Sequence, residues 1–248
     1  MTSLFDDVDL LSLDAGNTVI FLDHARLAQI AVDAGFPVSR DRLIVTEGEA
    51  KRLLGQPSSA MRDPAWKDRS LPGAAGWGRT VATMLALAGV PDVALADVVS
   101  RAWVRHVEHN LWSLVPEGFE AAMANVRAAG VKIAIVSNSE GMLDRLFREL
   151  GIFDCFDAIV DSGKVGVEKP DPRIFRIACE QTGTTEARGL HLGDTFATDV
   201  LGAQAAGMRT ALIDPYAHYE GLYPEVPRVV GVVEAAREIL SAVRGRAG

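Results

Sequence analysis

Residues 8–18 read Val-Asp-Leu-Leu-Ser-Leu-Asp-Ala-Gly-Asn-Thr, a short apolar run that stops at an acidic residue. The run extends from Val8 to Leu13, Asp14 ends it, and Gly16 follows almost at once. Such a run, bounded by turn-forming residues, is typical of a buried β-strand. The stretch therefore predicts a strand that delivers the carboxylate of Asp14 to its carboxyl end.

The same pattern returns further along the chain. The run 131–136 ends at Ser137, and the run 189–192 is followed by Gly193 and Asp194. Weaker runs of the same kind occupy residues 158–160 and 210–213, and stretches with helical spacing of apolar residues separate them. Strands that alternate with helices predict a parallel sheet, whose sites lie at the carboxyl ends of its strands. We therefore expect Asp14, Ser137 and Asp194 at one edge of such a sheet.

The segment 24–112 breaks this alternation. It contains no convincing strand, it holds all four tryptophans, and its helical patterns fall near residues 25–34, 39–53, 75–88 and 93–110. We interpret it as a second, all-helical domain inserted after the first strand. Residues 1–23 and 113–248 then form the first domain.

Composition and charge weigh against several classes of function. The chain has 248 residues and a formal net charge of −8, which argues against a nucleic-acid partner. Neither a secretory signal nor an apolar run of membrane-spanning length is seen, so no membrane association is expected. Cys155 and Cys179 are interpreted as reduced thiols, and the protein is predicted to be a cytoplasmic monomer.

Several polar residues at these strand ends suit phosphoryl chemistry. An aspartate such as Asp14 can attack phosphorus and form an aspartyl-phosphate, which divides one difficult hydrolysis into two easier steps. A Mg²⁺ ion held by Asp14 and Asp194 would reduce the repulsion between the two anions. Lys169 and Ser137 suit the remaining phosphoryl oxygens, and Asp199 is placed to orient Lys169 or a water on the metal. Singly, each has a commoner structural role, so the prediction depends on their joint occurrence.

The order of these residues resembles the four signature motifs of the haloacid dehalogenase (HAD) superfamily. The segments 169–175, Lys-Pro-Asp-Pro-Arg-Ile-Phe, and 193–199, Gly-Asp-Thr-Phe-Ala-Thr-Asp, are especially similar to its third and fourth motifs. The resemblance covers residues 6–23 and 113–243. It implies an α/β fold with a Rossmann-like parallel sheet and helices on both faces. The inserted helical domain resembles the C1 cap of that superfamily.

The resemblance also implies roles for the matching residues. Asp14 would be the nucleophile and a ligand of Mg²⁺, the cofactor that the family implies. The backbone carbonyl of Gly16 and the carboxylate of Asp194 would complete the metal site. The implied substrate is a small phosphorylated metabolite. The remaining residues expected to act on it are Ser137, Lys169 and Asp199 as catalytic residues and Thr18 and Asn138 as substrate-binding residues.

Gly16 departs from the family pattern, because phosphatases of this superfamily usually carry an aspartate there as general acid and base. A carbonyl can still bind metal, but a glycine cannot donate a proton, and general acid–base help is worth roughly 10²–10⁴-fold in rate. Three consequences are open. Asp23, His24 or a cap residue supplies the proton, or the substrate has a good leaving group, or the protein has become a weak catalyst or a binding protein.

A second enzymatic hypothesis is a metal-independent 2-haloacid dehalogenase, whose aspartate attacks carbon. Those enzymes typically lack the Gly-Asp-x₄-Asp metal motif and carry an aromatic residue where Gly16 stands here. Asp194 in its metal-ligand setting therefore favours phosphoryl transfer. A regulatory or partner-binding HAD-like protein is the non-enzymatic alternative, because a fold alone does not fix a function.

Residues of the inserted domain are expected to select the substrate by closing over the site. The candidates lie on or near a long loop, and they are Arg62, Trp66, Lys67, Arg69 and Trp77. The tryptophans have an alternative role as packing residues of the helical domain. Trp103 and His106 share an apolar helical face, and we interpret them as packing residues.

Overall fold

The computed structural model describes residues 3–54, 56–57, 60–71 and 73–246. Contacts within the chain divide it into two compact units. The first unit contains the residues up to Phe21 and from Val115 onward, and the second is Leu22–Leu114. Both boundaries lie within two residues of those predicted at 23/24 and 112/113.

A parallel sheet forms the centre of the first unit. The strands found among the described residues are β1 (Leu10–Leu13), β2 (Phe21–Leu22), β3 (Trp112–Leu114), β4 (Lys132–Ser137), β5 (Ala158–Asp161), β6 (Gly189–Gly193), β7 (Arg209–Ile213) and β8 (Arg228–Val229). Six of them pair in the order β5-β4-β1-β6-β7-β8, all in parallel. The chain leaves β1 toward β4 and later returns to β6 on its other side. Such a switch point is where open α/β sheets place their ligands.

Helices cover the sheet of the first unit on both faces. Their bounds, with those of the second unit, are α1 (His24–Asp33), α2 (Arg40–Leu53), α3 (Ala74–Leu87), α4 (Asp92–Glu108), α5 (Phe119–Ala128), α6 (Leu143–Glu149), α7 (Ser162–Val165), α8 (Pro172–Thr182), α9 (Leu201–Ala206) and α10 (Val232–Arg246). Ala134 and Val136 of β4 pack with α8 and α9 in one core cluster. Ile133 and Ile135 alternate with them and are also fully buried, so they face the side where α5 contacts β4 and α10.

This double cover explains the apolar runs that predicted the strands. A strand with helices on both faces buries every side chain, so it lacks the polar alternation of a half-exposed strand. All four residues of β1 are buried. The predicted α/β fold with a Rossmann-like parallel sheet is confirmed.

The second unit is built from the four helices α1 to α4, at the positions predicted for them. Its core contains Trp77 and Trp103, whose ring centroids lie 5.0 Å apart. His106 stacks on Trp103 at 5.5 Å, and Trp66 packs against the same cluster. Packing is therefore the observed role of Trp103 and His106, as predicted, and Trp77 shares it. A substrate contact of Trp77 or Trp66 stays a prediction.

Two short strands were missed by the sequence interpretation of this region. Strands β2 and β3 pair with each other in a two-stranded sheet, and they lie near the two predicted ends of the inserted domain, where we predicted no strand. They contain two and three residues, which is too few to give a period-two pattern. Among the residues described, no helix is both long and apolar enough to cross a membrane.

Several of the charged side chains named as candidates in the second unit have partners within it. Arg62 lies 2.9 Å from Asp92, and Arg69 forms an ion pair with Asp63. Asp23 accepts a hydrogen bond from the backbone N–H of Arg26 and so caps α1. His24 is buried, and its Nε2 lies 3.1 Å from a carboxylate oxygen of Glu47. Proton donation by Asp23 or His24 stays a prediction.

Asp161 at the end of β5 organises the loop that follows β4. Its Oδ1 accepts hydrogen bonds from the backbone N–H groups of Gly141 and Gly163, both at 3.0 Å. Its Oδ2 accepts from the N–H of Leu143 at 3.2 Å. The side chain is fully buried, so these donors have a single acceptor residue in place of water.

Replacing Asp161 should therefore destabilise the first unit in a graded way. We expect Asp161→Ala to lower the free energy of unfolding by about 2–4 kcal/mol, since several buried donors lose their acceptor. Asp161→Asn retains one acceptor oxygen and should cost less. Urea denaturation of the three proteins measures the series, and equal stability of the alanine variant and the native protein would contradict it.

Candidate active site

The strand register places three polar side chains side by side. Leu13 at the end of β1 lies level with Leu192 of β6 and with Ile135 of β4, which is two residues before Ser137. The backbone N–H of Asp14 continues this pairing by donating to the carbonyl of Leu192 at 2.9 Å. Ser137 and Asp194 are thus each one residue beyond the level of Asp14, on either side of it.

The chain turns back tightly after Asp14. The carbonyl oxygen of Ala15 accepts a hydrogen bond from the backbone N–H of Ile20 at 2.9 Å, and Gly16 forms an isolated bridge with Ile20. Asn17 has a φ of 55°, a left-handed value that asparagine tolerates better than most residues. Gly16 is partly exposed and so offers backbone, but no side chain, close to Asp14.

The two predicted substrate-binding residues have other surroundings. Thr18 is fully buried in this turn, and within the described part of the chain its hydroxyl has no hydrogen-bond partner. Its burial does not favour a substrate contact. The Asn138 amide donates to the backbone carbonyl of Lys169 at 2.9 Å and accepts from the Lys169 N–H at 2.7 Å. The Asn138 side chain thus holds the backbone of Lys169, and a substrate contact of Thr18 or Asn138 stays a prediction.

Lys169 links two of the predicted acidic residues. Its Nζ lies 2.5 Å from Oδ1 of Asp14 and 2.5 Å from Oδ1 of Asp199. The exposed fractions of the three side chains are only 3%, 10% and 1% respectively. The site thus contains a buried cation shared by two carboxylates, and solvent screens these contacts little.

Asp199 is fixed by the local backbone. It lies in a π-helical turn, Phe196–Val200, and its Oδ2 accepts a hydrogen bond from the N–H of Thr195 at 2.8 Å. A Cβ added at Gly193 would come within 2.2 Å of Cγ of Asp199. Gly193 must therefore lack a side chain for the Asp199 carboxylate to occupy this place.

Beneath Asp199 lie residues that the sequence interpretation missed. His191 of β6 has its Nε2 3.3 Å from Oδ1 of Asp199 and its Nδ1 2.9 Å from the hydroxyl of Ser12 in β1. Thr195 was also missed, since it acts through its backbone. The sequence does contain a signal for Ser12 and His191, because each is a single polar residue in an otherwise apolar strand.

The acidic residues of the site form a candidate cation site. Ligand oxygens of Asp14, Asp194 and Asp199 all lie within 4.8 Å of one another, and all three residues are buried. When all four groups are ionised, the three carboxylates and the ammonium of Lys169 carry a net charge of −2. Buried charge of that size requires a counter-charge, and hard carboxylate oxygens suit Mg²⁺. The residues present therefore fit a divalent cation.

The sequence model of one protein family, the haloacid dehalogenase-like hydrolases, matches residues 9–207. The match contains all the site residues described above. The chain belongs to the haloacid dehalogenase-like hydrolases.

Individual relatives agree with this assignment. Mouse haloacid dehalogenase-like hydrolase domain-containing protein 3 is 35% identical over 146 residues, which are 58% of this chain and 58% of that protein. Phosphoserine phosphatase of Thermus thermophilus is 36% identical over 121 residues, which are 48% of this chain and 46% of that enzyme. The chain thus spans about half the length of these curated relatives.

The fold of a solved HAD hydrolase is also similar. YfnB of Bacillus subtilis, crystallised with bound magnesium, superimposes with a TM-score of 0.65 at 21% sequence identity. The superposition covers 94% of this chain and 98% of YfnB. At this level of identity the likeness shows the fold.

Burial and neighbouring charges shift the pKa values of Asp14, Asp199 and Lys169 in this HAD site in different directions. Burial, helped by the nearby carboxylates of Asp199 and Asp194, raises the pKa of Asp14 to about 7 against the opposing effect of Lys169. Burial also opposes ionisation of Asp199, but Lys169 and His191 hold its pKa well below the usual range. Burial alone would lower the pKa of Lys169, yet Asp14 and Asp199 raise it. Lys169 and Asp199 are therefore a fixed ion pair, and Asp14 is the group with adjustable charge.

Binding of Mg²⁺ should consequently depend on pH. The raised pKa favours protonated Asp14 in the folded, metal-free protein, so its stability falls as pH rises from 3.8 toward about 7. A cation must displace that proton, so we expect Mg²⁺ affinity to rise up to about tenfold per pH unit below pH 7 and to level off above it. Calorimetric titrations between pH 5.5 and 8.5 measure this.

The matched variant is Asp14→Asn, which cannot release a proton. It should bind Mg²⁺ more weakly, and the dependence of its affinity on pH should be much shallower. A pH-independent affinity of the native protein would show that Asp14 is not the group in competition with the metal.

Proposed function

We propose that this HAD hydrolase is a Mg²⁺-dependent phosphatase of a small phosphorylated metabolite, with an aspartyl-phosphate on Asp14. The observation that carries the proposal is the cluster of Asp14, Asp194 and Asp199 around Lys169. It combines a nucleophile, a site for a divalent cation and a fixed ammonium at the switch point of the sheet. Relatives named phosphoserine phosphatase and glyceraldehyde 3-phosphate phosphatase support phosphate esters as the substrate class.

Asp14 is the proposed nucleophile because its carboxylate is held at one oxygen. Lys169 contacts Oδ1, and we assign the attack on phosphorus to Oδ2. The new bond joins Oδ2 to phosphorus while the bond from phosphorus to the leaving oxygen breaks. The ammonium of Lys169 and the hydroxyl of Ser137 donate hydrogen bonds to the phosphoryl oxygens, where negative charge accumulates.

Asp14, Asp194 and the backbone carbonyl of Gly16 would hold Mg²⁺, with Asp199 close enough to support the same cluster. The ion, when bound, supplies charge neutralisation between the carboxylate nucleophile and the anionic phosphoryl group. Asp199 remains paired with Lys169, so its main proposed task is to keep the ammonium in place.

A water molecule completes the reaction in the second step. It attacks the phosphorus of the aspartyl-phosphate, the bond from phosphorus to Oδ2 of Asp14 breaks, and inorganic phosphate leaves. This water releases one proton to solvent, and the oxygen that departed in the first step takes one up from solvent, so that protons balance over the two steps. Asp14 returns to its carboxylate form.

Gly16 sets the limit on the first step. It has no side chain that can protonate the leaving oxygen, and Asp199 is held as an anion by its partners. Substrates whose leaving group is stable as an anion should therefore react best, unless Asp23, His24 or another residue of the second unit supplies the proton. The cytoplasmic location and the monomeric state remain predictions.

Replacement of the nucleophile tests the proposal directly. Asp14→Asn should reduce Mg²⁺-dependent phosphate release by at least about 10³-fold, since an amide does not attack phosphorus. A panel of alkyl, aryl and acyl phosphates, assayed with Mg²⁺ or with chelator, provides the measurement. Asp171→Asn is the matched control, because Asp171 caps α8 and asparagine caps equally well.

The other outcomes of this panel separate the alternatives. Chloride release from 2-chloropropionate in the presence of chelator would replace the phosphatase by the dehalogenase. A protein that binds Mg²⁺ and releases nothing from any substrate would favour a binding or regulatory role.

Restoring an acid next to the nucleophile should broaden the substrate range. We expect Gly16→Asp to raise turnover of simple alkyl phosphates by up to about 10²-fold, the lower end of what general acid catalysis contributes. Gly16→Asn has nearly the same shape and no acidic proton, so it should not give this gain. A folded, Mg²⁺-binding Gly16→Asp variant with unchanged or lower turnover would contradict the assignment of a missing acid.

A further inference from the structure

Two of the buried polar residues of the sheet that remain outside the proposed chemistry contact each other. Ser12 of β1 and His191 of β6 are register partners in adjacent strands, and both are fully buried. The hydroxyl of Ser12 lies 2.9 Å from Nδ1 of His191. Polar groups in a fully buried layer cost free energy unless they are hydrogen-bonded, and a pair of leucines would fill the layer more simply.

The second ring nitrogen of His191 makes a contact within the site itself. Nε2 lies 3.3 Å from Oδ1 of Asp199, the same oxygen that Lys169 contacts. The edge-to-face packing of Phe175, at 4.9 Å between ring centroids, restricts the imidazole further. The plane of the ring is therefore set by neighbours on several sides.

The chemistry of these partners fixes the direction of each hydrogen bond. An ionised Asp199 only accepts, so Nε2–H of His191 donates to it. In the neutral ring Nδ1 then carries the lone pair, and the Ser12 hydroxyl donates to Nδ1. The tautomer of His191 is thus selected by Ser12 on one side and by Asp199 on the other.

These contacts close a ring that begins and ends on β1. From Ser12 the hydrogen bonds run to His191, then to Asp199, then to Lys169, and finally to Asp14, two residues after Ser12. Lys169 itself comes from a loop, so its ammonium depends on these contacts for its place.

We propose that His191, oriented by Ser12, is a positioning residue that holds the Asp199 carboxylate and, through it, the Lys169 ammonium against Asp14. The kinetic part of the proposal rests on the phosphatase function proposed above. The geometric part, the fixed position of the Lys169 ammonium, does not.

Thr210 offers a matched control within the same layer of the sheet. It is the register partner of His191 on the other side, in β7, and it is buried. Within the described residues its hydroxyl has no hydrogen-bond partner. Thr210→Val therefore removes a buried hydroxyl from this row without breaking the ring.

The experiment compares Ser12→Ala, His191→Leu, His191→Gln and Thr210→Val with the native protein. The first readout is kcat and KM for phosphate release from an aryl phosphate with Mg²⁺. The second is the rate at which an amine-specific acylating reagent labels Lys169, followed by mass spectrometry. The second readout needs no enzymatic activity, so it separates a failure of this proposal from a failure of the phosphatase assignment.

We expect His191→Leu to lower kcat by about 10–100-fold with a smaller change in KM, the usual scale for loss of a partner that orients a site residue. Ser12→Ala should have a smaller effect in the same direction. His191→Gln retains an N–H donor and should recover much of the loss. Labelling of Lys169 should accelerate several-fold in the leucine variant, and Thr210→Val should match the native protein in both readouts.

Two results would overturn the proposal. One is a folded His191→Leu or Ser12→Ala variant with native kcat and native labelling of Lys169. The other is a Thr210→Val variant as impaired as His191→Leu, because the effect would then come from packing of the buried layer. If His191→Leu does not fold, Ser12→Ala and His191→Gln decide between the same outcomes.

Discussion

The shared contact of one buried ammonium with two carboxylates is the interaction on which the site depends. Lys169 compensates charge that the sheet would otherwise bury at a cost of several kcal/mol for each ion. It compensates only part of that charge, because Asp194 belongs to the same cluster. The remaining negative charge fits the divalent cation and the nucleophile that are proposed for this cluster. A bound cation would therefore both compensate the buried charge and assist the proposed reaction.

The parallel sheet is what allows such a concentration of charge. Strands β1, β4 and β6 all end at the same edge, and the register sets Ser137 and Asp194 on either side of Asp14. Helices cover both faces of the sheet, so the charged edge is backed by apolar packing. Space within this edge is tight at Gly193, where any side chain would occupy the place of the Asp199 carboxylate.

The sequence was sufficient for the fold and for the acidic members of the site. Fully buried strands give unbroken apolar runs, and each run that ended at Asp14, Ser137 or Asp194 proved to be a strand of the sheet. The strands β2 and β3 were missed because they are too short to show a period. Thr18 and Asn138 were predicted to bind substrate, which stays a prediction. That Asn138 holds the backbone of Lys169 and that Thr18 is buried could be learned only from atomic contacts.

Contacts between side chains of distant segments are what the sequence could not supply. That His191 lies below Asp199 depends on the turn that brings residues 196–200 back over β6. The polar interruptions at Ser12 and His191 were visible in the apolar runs. Their meaning required the register, since only paired strands bring the two residues face to face.

The side chain of Asn138 has a consequence for the loop that carries Lys169. Its amide donates one hydrogen bond to the backbone of Lys169 and accepts one from it, as a peptide group of a neighbouring strand would. One residue of the loop is thereby anchored to the end of β4 although the loop is not a strand. Insertions and deletions between α7 and Lys169 should be tolerated more readily than a substitution of Asn138. The length of that connection can therefore vary among related proteins without displacing the ammonium.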